Sequence, residues 1–486
     1  MSRRDGVRDR ARALTVPFIA FVLYSVYALS RYSQLLTAGY DLGIFDQVVR
    51  DYSRFRAPLV PLKGDHYNIL GDHFHPILAL LAPLYWVWDD ARVLLLAQAA
   101  AIAVSVAIVG AFARRHLSGR WVTLLTIGYA FGWPIQAMVD FDFHEVALAV
   151  PLLGWAIDAL DRKAWVPFTV ACLFLLATRE DMGVIVALLG MVALGRGLRP
   201  PRTRGLAVAG AAMLVIGPLV YQAVTAWVLP HFSPTGTFAY WSYEALGPDA
   251  AGSIEFMVLH PVRTIAIFLT PMQKTETLLL LFAPVLFLCL RSPYVIAVLP
   301  LLAQRFFSSR ELIWRARFHY NAPAWIILVL AAIDGASRFG PDLGPKLKKA
   351  LAVTMATVAI VGTVAGLTLF PMRRVVYGLA FRTTPHMVDQ RAILVHIPEN
   401  TCVEADDRLA VHLTHTNRVS LPTIPKGDSD FVALDLSQLE VGFPLPSPHE
   451  VAERLDAKGY TVVFSQGAMR LYQRPGYSGP RPECEP

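Results

Sequence analysis

Long apolar segments separated by short polar connections occupy most of this chain, from Leu14 to Phe370. A segment of about 17–25 apolar residues is long enough to cross a bilayer as a helix, and segments near this length recur to give about eleven predicted spans. The predicted spans are Leu14–Tyr32, Ala91–Ala113, Trp121–Met138, Val146–Leu160, Trp165–Thr178, Gly183–Gly195, Gly205–Leu229, Thr277–Leu290, Tyr294–Phe306, Ala322–Ala336 and Leu351–Phe370. The pattern predicts a mainly α, polytopic transmembrane bundle.

Composition agrees with this class of protein. Of the 486 residues, 55% are hydrophobic and only 17% are charged, which is too little charge to cover a soluble globule of this size. The net charge of +7 comes from Arg and Lys in the short connections. No basic stretch alternates with aromatic residues as a nucleic-acid surface would, so a nucleic-acid partner is not expected.

Positive charges in the connections predict the orientation. Five arginines precede the first span and place the amino terminus in the cytoplasm, because Arg and Lys are enriched on that side; they are Arg3, Arg4, Arg8, Arg10 and Arg12. The segment His75–Trp88 is too short to cross and predicts an interfacial or re-entrant helix within an external segment, 34–90. Arg114 and Arg115 then lie inside, and the chain after Phe370 lies outside the cytoplasm.

The sequence after residue 371 predicts a separate extracytoplasmic α/β domain, 372–486, beside a transmembrane domain, 1–371. Three short segments predict buried strands and a fourth predicts a final strand; they are Val403–Ala405, Phe431–Leu436, Tyr460–Phe464 and Met469–Gln473. Ser447-Pro448-His449-Glu450 has the residues of a capped helix start, and Gly459 ends that helix. Cys402 and Cys484 lie in this domain, and whether they form a disulfide is left open.

Ionisable residues gather at the ends of apolar segments on the predicted outer face. A charged side chain at the bilayer centre costs roughly 2.5–3.5 kcal/mol, so acids and histidines at a membrane edge often mark a functional site. They come from four loops or helix ends and are Asp41, Asp46, Asp72, His73, His75, Asp142, His144, Glu145, Arg179, Glu180 and Asp181. Their shared face predicts one extracytoplasmic site at the lipid boundary.

Each of these residues also has a simpler interpretation. An Asp near a helix end can cap that helix, and Arg179-Glu180-Asp181 can be a locally paired, solvated loop. Asp142 differs because Phe141 and Phe143 flank it, and aromatic neighbours exclude water and strengthen the local field.

Two kinds of ligand fit the predicted site. A divalent cation, Mg²⁺ or Mn²⁺ with Zn²⁺ as an alternative, would find nitrogen and oxygen ligands in Asp72, His73, His75 and His144, although no HExxH spacing is present. The histidines could instead hydrogen-bond phosphate or hydroxyl groups. Five arginines would suit a lipid phosphate, with headgroup anchoring as the alternative for the last four; they are Arg179, Arg305, Arg310, Arg315 and Arg317.

These motifs resemble two protein families. The segment Tyr40–Gln47 after an amino-terminal span, the pair His75-Pro76, and a span that ends in Ala113-Arg114-Arg115 resemble the C-class, lipid-linked-sugar glycosyltransferases. Three other motifs and the tail segment Ile397–Leu413 are similar to a bacterial family of predicted polytopic membrane proteins of unassigned function; the motifs are Gly71–Pro76, Phe141–Glu145 and Arg179–Asp181. The second resemblance covers nearly the whole chain.

The glycosyltransferase resemblance implies a polyprenyl-phosphate sugar donor in the membrane and a cell-envelope acceptor that approaches from outside. It implies that Asp41 is the catalytic base, with Asp46 in reserve, and we expect Arg179 to contact the phosphate. Asp142, His144 and Glu145 would orient the sugar or hold a metal. Asp72, His73, His75, Glu180 and Asp181 would complete the substrate site.

Two other functions also fit the sequence. The same charged residues could line the path of a transporter or flippase for a lipid-linked or polar solute. The tail could also be a binding module for which the membrane part is a scaffold. The acids at one membrane edge, rather than at mid-depth, favour an enzyme over a carrier.

Overall fold

A computed structural model describes residues 3–117, 120–237, 241–338, 345–422, 429–437, 446–484 and 486. The first half of the chain is helical, with a π-helical turn at Gly39–Gly43 and a 3-10 segment at Pro76–Leu81. Its α-helices are α1 Arg3–Ser33, α2 Ile44–Ser53, α3 Ala82–Tyr85, α4 Arg92–His116, α5 Arg120–Ala130, α6 Trp133–Asp140, α7 Val146–Asp161, α8 Trp165–Leu176, α9 Met182–Leu198, α10 Arg204–Ala223 and α11 Leu229–Phe232.

The second half continues the bundle and then adds a small sheet. Its α-helices are α12 Ala250–Leu259, α13 Pro261–Leu269, α14 Met272–Phe282, α15 Leu299–Phe306, α16 Glu311–Trp314, α17 Ala322–Ser337, α18 Pro345–Leu369, α19 Arg373–Val376, α20 Pro385–Leu394, α21 Asp407–Ala410 and α22 Pro448–Ala457. The strands are β1 Cys402–Ala405, β2 Arg418–Ser420, β3 Phe431–Asp435, β4 Thr461–Gln466 and β5 Met469–Gln473. The predicted fold class, a helical membrane bundle with a small carboxy-terminal α/β region, is confirmed.

Within the described ranges, five helical segments are long and apolar enough to cross a membrane, or six if the bent pair α12 and α13 counts as one. The five are Ala13–Ser33, Arg92–His116, Trp121–Asp140, Arg204–Phe232 and His319–Ser337. Shorter apolar helices, such as Trp165–Leu176 and Met182–Leu198, pack beside them. The number of about eleven spans stays a prediction. So does the domain boundary after residue 371.

Several predicted spans are not single α-helices. Trp121–Met138 divides into α5 and α6, and Gly205–Leu229 contains a π-helical turn at Val224–Val228. In the segment predicted as Thr277–Leu290, α14 ends at Phe282 because Pro284 has no N–H to donate to Leu280; the carbonyl of Leu280 instead accepts the indole N–H of Trp133 at 3.0 Å. Leu286 and Phe287 then adopt left-handed backbone conformations. The predicted span Tyr294–Phe306 consists of a 3-10 segment at Pro293–Val298 that continues directly into α15.

The sheet has the strand order β2-β1-β3-β5-β4, with β1 parallel to both β2 and β3 and the other pairs antiparallel. All four predicted strands are present, whereas β2 was not predicted. The prediction that Tyr460–Phe464 is buried is wrong, because β4 is an edge strand on which Val462 and Val463 are about half exposed. The predicted cap of α22 is confirmed: the Ser447 hydroxyl accepts the Glu450 N–H, and the Glu450 carboxylate accepts the Ser447 N–H.

The sheet and the bundle share one hydrophobic core. Buried residues of β1 and α21, such as Val403 and Leu409, belong to the same cluster as Leu42 and Val48 after the first span. A disulfide joins Cys402 at the start of β1 to Cys484 near the end of the chain. The sheet is therefore packed against the segment that carries Asp41.

The Cys402–Cys484 disulfide yields a first testable prediction. Replacing both cysteines by serine should lower the free energy of unfolding by about 2–4 kcal/mol, because the crosslink restricts the unfolded chain. Thermal unfolding of the purified protein in detergent measures this change.

The same pair can be tested in cells with a variant in which the two buried free cysteines, Cys172 and Cys289, are alanine. A membrane-impermeant maleimide should label this variant only after reduction, since disulfides persist in oxidising compartments. Labelling of untreated cells would contradict the prediction.

Candidate functional site

Asp41 lies in the π-helical turn Gly39–Gly43, directly before α2. Its side chain is 27% exposed, whereas those of Asp142, Glu145 and Glu180 are 4–6% exposed. Asp41 is therefore the most accessible of these acids. An exposed carboxylate can reach an incoming hydroxyl, whereas a buried one cannot.

A histidine faces this carboxylate. His144 Nε2 lies 3.4 Å from Asp41 Oδ1, and its Nδ1 is buried without a hydrogen-bond partner. Burial lowers the pKa of His144, but the adjacent Asp41 carboxylate outweighs burial and raises that pKa above its usual value. The pair can therefore exchange a proton or hold one between them.

The His144 ring is part of an aromatic stack. It stacks on His319 with ring centroids 3.8 Å apart, and His319 in turn lies 3.9 Å from the Tyr320 ring. Phe45 contacts the other side of His144 edge-on at 5.4 Å. Such packing fixes the orientation of the imidazole.

Asp142 supports the two segments that carry Asp41 and His144. Its Oδ2 accepts the backbone N–H of Ala38 at 2.8 Å, and its Oδ1 lies 3.3 Å from Arg31 Nη2. The Gln98 side chain binds the backbone on both sides of Phe143, because it donates to the Asp142 carbonyl and accepts the His144 N–H. Asp142 has a φ of 61°, which turns the chain sharply here.

Arg179 lies among three acids. Its Nε donates to Asp181 at 3.0 Å, its Nη2 also bonds the Asp181 carboxylate, and its Nη1 lies 3.7 Å from Glu145 Oε1. Glu180 points the other way and accepts from His73 Nδ1 at 2.8 Å and from the Phe74 N–H at 3.1 Å. The loop between α8 and α9 is thereby tied to the external segment.

The pair His73 and Glu180 is ionised at neutral pH. Burial lowers the pKa of His73, but the Glu180 carboxylate more than offsets this and raises it to about 8. Burial alone would raise the pKa of Glu180, and the His73 and Arg179 charges reverse that effect and hold it below its ordinary value. His75, by contrast, is buried beside them and its pKa is lowered by that burial.

Arg305 is a buried cation with neutral partners. Its side chain is 3% exposed, Nη1 donates to the Tyr320 carbonyl at 2.6 Å, Nη2 donates to Asn321 Oδ1 at 2.5 Å, and Nε has no acceptor. Among the ion pairs of the described chain, none joins Arg305 to a carboxylate. It lies near the Asp41 site, because Tyr320 interacts electrostatically with Asp41, Glu145, Arg179 and Arg310.

Some predicted site residues lie apart from this cluster. Asp46 is fully buried, and its two carboxylate oxygens bind Arg50 Nη1 and the Tyr85 hydroxyl, each at 2.7 Å. Asp46 is therefore a structural residue, and the reserve role as catalytic base does not fit its position. Asp72 binds Lys63 Nζ at 2.6 Å on the adjoining loop.

The proposed metal ligands do not gather around one point. Within the described ranges, the one group of three ligand atoms that lie within 4.8 Å of one another is Cys402, Asp430 and Cys484, where the sulfurs already form a disulfide. Asp72 and His73 have separate partners, Lys63 and Glu180. A bound Mg²⁺ or Mn²⁺ ion therefore stays a prediction without a ligand set.

His319, Tyr320 and Arg31 belong to the site but were not predicted. His319 and Tyr320 lie in the polar run Arg317–Asn321 directly before an apolar span, which is the signal that marked the other clusters. Arg31 was not predicted because it lies near the end of the first apolar segment, where a charged residue is typical of a membrane boundary.

Comparisons with known proteins agree with this architecture. Among solved structures, the fold is similar to that of ArnT from Cupriavidus metallidurans bound to undecaprenyl phosphate, with a TM-score of 0.53, 12% identity, and coverage of 96% of this chain and 98% of that one. At that identity the likeness establishes the fold. No curated protein sequence matches the chain.

A family model described as a predicted membrane protein (DUF2079) matches residues 31–435, which include every residue of the site described above. The matched segment covers most of the 486 residues. The chain is a membrane protein and belongs to the DUF2079 family.

Proposed function

We propose that this protein is a membrane glycosyltransferase that moves a sugar from a polyprenyl-phosphate donor to a cell-envelope acceptor at the outer face of the cytoplasmic membrane. The accessible Asp41 carboxylate, which faces His144 and lies near the buried cation Arg305, is the observation that carries this proposal. The fold shared with an undecaprenyl-phosphate-bound protein supports the class of donor.

In the proposed reaction Asp41 removes the proton from the acceptor hydroxyl as its oxygen attacks the anomeric carbon of the sugar. The bond from that carbon to the phosphate oxygen breaks, and the polyprenyl phosphate leaves with the electron pair. His144, 3.4 Å from Asp41, orients the carboxylate and stabilises its charge before the attack. Neither step requires a redox partner.

The leaving phosphate needs cationic donors at the lipid boundary. Arg179 is largely neutralised by Asp181 and Glu145, whereas Arg305 is buried and bonded only to neutral oxygens in the described chain. A buried cation without a counter-ion is costly, and an incoming anion would relieve that cost. We therefore assign the phosphate contact mainly to Arg305, with Arg179 as the second cation.

The acids and histidines lie at one end of the helices, which fits an acceptor that arrives from outside. The disulfide supports an extracytoplasmic sheet, because such bonds are rare in the cytoplasm. These side chains are fixed by mutual pairing, as in a preorganised active site.

Asp41→Asn should abolish turnover while leaving the fold intact, because the amide cannot accept the acceptor's proton. The assay incubates purified protein with undecaprenyl-phosphate glucose or undecaprenyl-phosphate arabinose and cell-envelope extract, and measures release of undecaprenyl phosphate. Asp65→Asn is the matched control, since Asp65 lies in the same external segment and is half exposed. Unchanged release by the Asp41 variant would remove its assigned role.

Arg305→Gln should raise the KM for the polyprenyl-phosphate donor by about 10-fold or more, since a hydrogen bond to a charged group contributes about 1.5–3 kcal/mol. Binding of undecaprenyl phosphate alone, followed by native mass spectrometry, should weaken to a similar degree. Arg263→Gln, which changes an exposed arginine on α13, should leave both values as in the wild type. Equal binding by the Arg305 variant would exclude the phosphate role.

The ionised pair His73 and Glu180 predicts a pH dependence of stability. Because the pKa of His73 rises from 6.5 to about 8 on folding, its stabilisation is complete below pH 6.5 and is lost as the pH rises through 8. The difference in Tm between wild type and His73→Gln should thus be largest near pH 6 and shrink by pH 9. A difference that stays constant across this range would show that the pair is not ionic.

A further inference from the structure

The turn that carries Asp41 is held from two sides. From the bundle, Asp142 accepts the N–H of Ala38 at 2.8 Å. From the carboxy-terminal α/β region, Oδ1 of Asp407 at the start of α21 accepts the N–H of Tyr40 at 2.7 Å, across 367 positions of sequence. The two hydrogen bonds hold the backbone N–H groups of Ala38 and Tyr40, which precede Asp41, and so they restrain the position of the Asp41 Cα.

The approach of α21 to this turn is close. A Cβ atom built on Gly39 would lie 2.8 Å from the Ala410 Cβ and 3.0 Å from the Asp407 carbonyl oxygen, so only glycine fits. A Cβ on Gly43 would lie 2.8 Å from Leu62. The π-helical turn is therefore enclosed, and it has little space in which to shift.

The Asp407 carboxylate is also close enough to Asp41 to sense its charge. Burial raises the pKa of Asp407 to about 6, the Tyr40 N–H opposes this, and the Asp41 charge adds to the rise. Asp407 begins α21, two positions after the end of β1, and the preceding Asp406 side chain accepts the N–H of Asp435 on β3. The sheet thus fixes the residue next to Asp407.

We propose that Asp407 is a positioning residue for Asp41, so that the carboxy-terminal sheet completes the active site rather than serving as an appended module. This inference rests on the proposed role of Asp41 as the base. Asp407 does not touch the substrate in this mechanism; it sets the geometry of the turn through the Tyr40 N–H. A charge-assisted bond to a backbone amide suits this task, because it is short and directional.

The test compares three variants in the full-length protein. Asp407→Ala removes the acceptor of the Tyr40 N–H, whereas Asp407→Asn retains an oxygen that can accept it. Glu404→Ala is the matched control, since Glu404 is a buried acid of β1, the strand just before α21, where it binds Ser429 and lies three positions before Asp407. Hydrogen exchange of residues 38–43 and turnover of undecaprenyl-phosphate sugar are measured on each.

Asp407→Ala should speed exchange of the Tyr40 amide and lower kcat by on the order of 10- to 100-fold, with the donor KM unchanged, since small misplacements of a reacting group have effects of this size. Asp407→Asn should restore most of the turnover. Glu404→Ala should leave exchange at residues 38–43 as in the wild type.

Three results would overturn the inference. They are unchanged exchange at residues 38–43 in Asp407→Ala, equal loss of kcat in Asp407→Asn and Asp407→Ala, and equal effects in Glu404→Ala, which would indicate general destabilisation of the sheet. Absence of undecaprenyl phosphate release by the wild type would instead overturn the proposed function, and the exchange measurement would still decide whether Asp407 holds the turn.

Discussion

Charges buried at the ends of apolar helices must be neutralised, and this requirement organises the site. Asp142 is paired with Arg31, Arg179 with Asp181, Glu180 with His73, and Asp46 with Arg50. The Arg31–Asp142 and His73–Glu180 pairs join segments that are distant in sequence, Arg179–Asp181 fixes the loop before α9, and Asp46–Arg50 lies within α2. Removal of one partner would leave an uncompensated buried charge, which costs several kcal/mol, so the pairs are rigid anchors.

Two charged residues of the site differ from these paired ones, and they are the residues to which we assign the chemistry. Asp41 keeps an exposed carboxylate edge, and Arg305 is hydrogen-bonded only to neutral oxygens in the described chain. Charges that are already paired within the protein are not available to a substrate, so the substrate would interact mainly with the few that are not paired in this way. The rings of His144, His319 and Tyr320 form a chain of contacts that starts at Asp41 and ends at Tyr320, whose carbonyl accepts from Arg305.

The sequence was informative where the signal is local. Spans, the cap at Ser447 and most strands follow from hydrophobic pattern and helix-start residues, and the polar clusters at Asp41, His144 and Arg179 were found because charge is rare in apolar surroundings. The family resemblance placed Asp41 ahead of Asp46, but the residues alone gave no physical reason for that order, because the reason is burial, which only the fold reveals. The strand β2 was missed because three residues carry too little periodicity. The continuous α-helices predicted next to Pro284 and Pro293 are not observed. The prediction relied on the length of the apolar segments and gave too little weight to these prolines.

The long-range contacts explain why the tail matters to a site formed mainly by the first half of the chain. Arg50 donates to the Thr414 carbonyl at 2.6 Å, Gln47 to the Val419 carbonyl at 3.0 Å, and Tyr40 to Asp407. The helix α2 and the turn before it are therefore bonded to the carboxy-terminal α/β region at three points, on α21, on β2 and on the connection between them. A turn anchored only to the bundle through Asp142 could pivot about that bond. Attachment to the sheet on the opposite side removes the pivot, and the exposed Asp41 then keeps a fixed distance to His144 although neither residue lies inside a regular α-helix.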